Sequence, residues 1–106
     1  MQLNAFYPQS NGIAVLPTAA NQAVNLAVAV GAATMQVHVV NLSTQAIFIN
    51  FQAAAVVPIV GTPGNGFCIP AGAAETVTAP AGSTQVNVIQ ATGGTGNCYF
   101  YSGEGI

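Results

Sequence analysis

Apart from the hydroxyls of Ser, Thr and Tyr, five side chains in this 106-residue sequence can do acid–base, nucleophilic or metal chemistry: His38, Cys68, Glu75, Cys98 and Glu104. A carboxylate-pair mechanism needs two acids at a defined separation, and Glu75 and Glu104 are the only ones in the chain. A Ser–His–acid triad lacks local support, because no Gly-x-Ser-x-Gly elbow is present and His38 falls at an outward position of a strand pattern. A metal site needs three or four ligands at suitable spacing. Cys68, Cys98 and His38 are widely separated, and no Cys-x-x-Cys occurs. The glycine-rich stretches 61–66 and 93–96 lack the lysine of a phosphate loop and read as hairpin tips. This inventory predicts no catalytic residue, no metal and no cofactor, with His38 a structural histidine on a sheet face.

The cysteines leave an alternative open. A Cys68–Cys98 bridge would remove unfolded-state entropy worth roughly 3–4 kcal/mol. Met1–Phe6 carries no basic n-region of a secretory signal, and in that context two reduced, buried thiols are the commoner arrangement.

Charge narrows the function classes further. The chain has no Lys, no Arg and no Asp, a formal net charge of −2 and a mean hydropathy of +0.57. Without a basic side chain it cannot neutralise phosphates, which excludes nucleic acid and anionic membrane surfaces as partners. The longest apolar stretch, Ala23–Val40, is interrupted by Asn25, Gln36 and His38, so no membrane-spanning segment is expected. Disorder is excluded by the high hydropathy. Nine Asn, eight Gln, nine Thr and four Ser supply the polar surface. Such a surface has almost no like-charge repulsion to oppose association, and it suits a protein that works in an assembly.

The elements that must position these residues read as strands. Prolines and glycines recur too closely for helices, while β-branched and aromatic residues alternate between them. Residues 22–30 place Val24, Leu26, Val28 and Val30 on one face, and residues 34–41 continue with Met35, Val37 and Val39 inward and Gln36 and His38 outward. These two runs are expected to form an antiparallel hairpin about 31–33. Residues 46–51 alternate Ile47, Ile49 and Phe51 against Phe48 and Asn50, leaving Phe48 either beneath a loop or in a subunit contact. A short strand at Phe67–Ile69 precedes two Pro-Ala-Gly turns at 70–72 and 80–82, which frame a strand at 75–78. Residues 85–91 and 97–101 are expected to pair across a hairpin loop at 93–96, with 102–106 trailing behind. Seven or eight such strands describe an all-β chain: an antiparallel β-sandwich or jelly-roll-like barrel. The expected core is Val24, Leu26, Val28, Met35, Val37, Val39, Ile47, Ile49, Val86 and Val88. Residues 1–20 read as an extended N-terminal segment, either an arm or an edge strand, before a single sandwich domain at 21–106. Phe6 and Tyr7, followed by Pro8, would anchor such an arm.

Four pieces of sequence occur in an order that resembles small structural proteins of tailed-bacteriophage virions. They are Val37–Ile49 (VHVVNLSTQAIFI), the Ile69-Pro70-Ala71-Gly72 turn before Glu75-Thr76-Val77, the Ala91–Gly96 loop, and Ser102-Gly103-Glu104-Gly105. The resemblance runs from Met35 to Ile106, about two-thirds of the chain, and is greatest to capsid cement or decoration proteins. It implies a small non-enzymatic β-sandwich that sits as a homo-oligomer, a trimer, over junctions of the major capsid protein. The location implied is the capsid exterior of a virion assembled in the host cytoplasm. Phe6, Tyr7, Phe48, Tyr99 and Tyr101 are the candidate interface residues. Two alternatives stand beside this reading. One is another phage component, a head fibre base or tail part. The other is a free carbohydrate- or protein-binding β-module with Tyr7, Tyr99 and Tyr101 as its platform. With two carboxylates and one histidine, stability should be nearly flat from about pH 5 to 9, given that Glu75 and Glu104 are solvated beside turns and His38 faces solvent.

Overall fold

A computed structural model describes residues 7–8, 12–26, 35–80 and 83–104 of the chain. It contains no helix among these residues and nine strands: β1 (Tyr7–Pro8), β2 (Ile13–Val15), β3 (Gln22–Asn25), β4 (Met35–Asn41), β5 (Ile47–Asn50), β6 (Phe67–Ile69), β7 (Ala74–Ala79), β8 (Gln85–Ile89) and β9 (Cys98–Glu104). All pairings are antiparallel. Sheet A runs β1-β9-β4-β7, with β2 lying against β9 as well, and sheet B runs β3-β8-β5-β6. β2 pairs with Cys98–Phe100 and β1 with Gly103–Glu104, so the two short strands form one broken edge. The fold is a β-sandwich with two separate sheets and no closed barrel.

The pairs β2·β9, β3·β8, β4·β7 and β5·β6 nest inside one another, as if one long hairpin had been rolled across two sheets. This is jelly-roll order. It corrects both expected local hairpins. Strand β3 pairs with β8 and β4 with β7 and β9, so the described parts of 22–30 and 34–41 lie in opposite sheets. Likewise β8 and β9 are in different sheets, and residues 90–97 cross between them. That crossing is tied to the neighbouring loop rather than folded as a hairpin tip. The Thr44 N–H donates to Thr95 O (2.8 Å) and the Leu42 N–H to Asn97 O (3.1 Å). Gly96 at φ +91° packs against the Leu42 carbonyl, where a side chain has neither a relaxed backbone conformation nor room. Ser102–Glu104 do not trail. They extend β9, and Ser102 is buried opposite Val37.

The period-two rows place the core as the alternation requires. Val37, Val39, Ile47, Ile49, Val86 and Val88 are fully buried between the sheets and Leu26 nearly so, with Val24 packed at their margin. Val28 and the side chain of Met35 lie outside the described residues. Phe100, Ile69, Ala79 and Cys98 complete the centre. Among the described residues the core also holds polar groups. The Asn41 amide donates to Gln45 O (2.9 Å) and Ile69 O (3.0 Å), and its Oδ1 accepts from the Ser43 N–H (3.0 Å) and hydroxyl. Gln90 Nε2 donates to Ser43 Oγ (3.0 Å), and Gln90 Oε1 accepts from the Gly94 N–H (3.1 Å). No buried side-chain polar atom among the described residues lacks a partner, so the amides fix this end of the sandwich without charge.

Candidate functional site

Alternation along β9 puts Cys98, Phe100 and Ser102 inward and sends Tyr99 and Tyr101 to the outer face of sheet A. Register then sets their neighbours. Tyr101 lies opposite His38 and His38 opposite Thr76; Tyr99 lies opposite Val40 and Val40 opposite Ala74; Gly103, Gln36 and Thr78 make a third row. Three rows on three strands give a shallow patch of roughly 10 by 13 Å. His38 Nδ1 and Thr76 Oγ1 are 2.8 Å apart, and the Gln36 amide donates to Thr78 Oγ1 (3.3 Å). The Tyr101 ring occupies the space beside Gly12 where a Cβ would have to stand. Glu75 is absent from this face, because it lies opposite Val39 on the inward row of β7, half-buried at the sheet edge, which corrects the expectation of a solvated carboxylate beside a turn. An inward charge on an edge strand hinders pairing with another sheet. The patch offers aromatic area, hydroxyls, one imidazole and one amide, and no described charged side chain. That chemistry binds by contact and hydrogen bonding; His38 and Thr76 are its one hydroxyl–imidazole pair, with no carboxylate in the three rows to orient the ring. No group of three His, Cys, Asp or Glu among the described residues could hold a metal ion.

The outer face of sheet B is covered in part, around Phe48, Asn50 and Asn87. Residues 51–66 fold back over it, and four asparagines fasten them. Asn21 Oδ1 accepts from the Ala55 N–H (2.8 Å), and Asn50 Oδ1 from the N–H groups of Gln52 (2.8 Å) and Ala53 (2.9 Å). Asn65 Oδ1 accepts from the Val56 N–H (2.7 Å) while its amide donates to Ala54 O (3.0 Å). Asn87, buried at 8% exposure, joins Asn21 to the Asn50 carbonyl. Phe48 lies beneath this loop and is half-buried. Its Cβ is so close to Gly66 that an added Cβ there would stand 2.6 Å away.

The candidate interface residues therefore do not converge. Tyr99 and Tyr101 share the open face of sheet A. Phe48 belongs to sheet B and is engaged by the chain's own loop. Tyr7 contributes backbone to β1 opposite Glu104, its side chain lying outside the described residues together with all of Phe6. The cysteines are free. Cys98 is fully buried in sheet A, whereas Cys68 is exposed on the outer face of sheet B opposite Phe48, which corrects the expectation of two buried thiols. Burial pushes the Cys98 thiol up to about 11, against a smaller lowering by a backbone hydrogen bond. Sequence reading missed the exposed apolar tip at Ile59-Val60. Its signal was the β-branched run around Pro58 ending in Gly61, which has no inward partner row.

No family model matches the chain, and no curated protein and no solved structure matches it either.

Proposed function

We propose that the protein is a non-enzymatic decoration module that binds a preformed bacteriophage head shell and makes it harder to break. The observation that carries the reading is the outer face of sheet A, where Tyr99, Tyr101, His38 and Gln36 share one side, partly exposed, with no described charge. The ordered turn motifs between Met35 and Ile106 supply the phage assignment by resemblance. Contacts made by such a face need no ion pair, so attachment to the major capsid protein should be insensitive to salt. A homotrimer would multiply weak individual contacts through avidity. Purified protein added to bare capsids at low and high ionic strength tests this. Cosedimentation at both salts, and its loss in the Tyr99→Ser/Tyr101→Ser chain, is the expected result. A full chain that never binds shells overturns it.

A further inference from the structure

We propose that the end of the sandwich bearing residues 50–67 is a self-association surface, in which the Ile59-Val60 tip of one copy enters an apolar cleft of the next. The tip is a two-residue hairpin. Ile59 and Thr62 exchange both backbone hydrogen bonds (3.0 and 2.9 Å), and Gly61 at φ +82° takes the conformation that closes a type II turn. Val60 is fully exposed and Ile59 is 63% exposed. Asparagine fastening of the loop behind the tip means that little ordering remains to be done on binding.

The cleft lies where β5 and β6 of one sheet face β7 of the other. It measures about 310 Å³, with Ile49, Phe51, Phe67, Val77 and Pro80 as its apolar walls. That is the low end of the range for ligand pockets, a size suited to a pair of branched aliphatic side chains. Its polar rim, Asn50, Gln52, Asn65 and Thr78, is uncharged. A second copy is the occupant that the charge balance favours. Tip and cleft are both neutral, so docking desolvates no ion and leaves no buried charge unpaired. Position favours it too. Thr62 and Asn65 are three residues apart, at most about 10 Å of chain, so tip and cleft lie side by side. Such neighbours allow a reciprocal pair across a two-fold axis, or a ring where a head-to-tail rotation closes. The three-fold count of that ring rests on the decoration reading; the contact itself does not.

Sedimentation of the full chain and three samples tests the proposal. The full chain should sediment at a multiple of its 10.6 kDa mass at micromolar concentration. Val60→Asp changes a fully exposed side chain, so the domain stays folded, while association weakens by at least about tenfold. Phe67→Asp should act alike from the cleft side, with circular dichroism confirming its fold. A mixture of the two variants retains one intact tip and one intact cleft and should associate again. A monomeric full chain, an unchanged Val60→Asp oligomer, or a mixture no better than its parts overturns the proposal. Capsid cosedimentation of the same samples separates the two readings, since an oligomer that behaves as expected yet ignores shells removes only the decoration role.

Discussion

The outer face of sheet A and the outer face of sheet B draw on the same uncharged polar residues and end as opposite kinds of surface. On sheet A the side chains of Gln36 and Thr78, and of His38 and Thr76, bond to one another across strands. On sheet B the side chains of Asn21, Asn50 and Asn65 bond to backbone groups of residues 51–66 and hold that segment down. The difference is one of connection length. β6 and β7 are joined by a tight turn closed by the Ala73 N–H donating to Pro70 O (3.1 Å), whereas the β5–β6 connection is long enough to return over its own sheet. A chain without Lys, Arg or Asp thus uses asparagine where others use ion pairs, because one planar amide can donate and accept at once.

The largest way to break the contrast is to unseal sheet B. Gly66→Val drives a side chain into Phe48 and the Val56 carbonyl, and should cost about 2–3 kcal/mol in urea unfolding. It should also raise binding of a hydrophobic dye, which a change on sheet A would not do. Between the sheets, Cys98 gives a pH test. Its thiol is raised in the folded state, so its contribution is complete below pH 9 and is lost as the pH rises towards 11. The loss should be on the order of 2 kcal/mol, with the Cys98→Ser chain showing a flatter profile. In the native protein one thiol, Cys68, should react with a thiol reagent while Cys98 stays protected. Asn65→Ala removes two bonds to the covering loop and should cost about 1–2 kcal/mol, read most directly as faster hydrogen exchange at Val56. On the open side, Tyr99→Ser should cost under about 1 kcal/mol of stability while abolishing shell binding. Smallest of all, stability should vary by less than about 1 kcal/mol between pH 5 and 9, since so few groups can link protons to folding.

Which residues point inward was legible in the sequence, and which strands pair was not. Period two in Val37–Val39, Ile47–Ile49 and Val86–Val88 is a local property of extended backbone, and all six are buried. Pairing in a rolled hairpin is non-local, so neighbours such as β8 and β9 offer no local cue that they belong to different sheets. Gly93-Gly94 has the composition of a hairpin tip, and only its bonds to Gln90 and the adjoining loop show that it bridges sheets. The Asn41-Leu42-Ser43 turn was readable as a turn. Its burial was not, because a buried amide depends on carbonyls from Ile69 and Pro70 that are distant in sequence. Of the candidate surface, the shared side of Tyr99 and Tyr101 followed from alternation. The covering of Phe48 depended on a loop whose path alternation does not describe.

The place of β9 has a consequence for how the protein is made. This strand, at the end of the described chain, sits inside sheet A with β4 on one side and β1 and β2 on the other. Until Cys98–Glu104 leaves the ribosome, β1 and β2 have no partner strand and Val37, Val39 and Phe100 cannot be enclosed together. Emerging segments cannot therefore settle one by one, and the domain should fold only after synthesis has passed its last strand. Translation that stops early yields a chain with an unfinished sheet A, so every folded copy has been read through to Glu104.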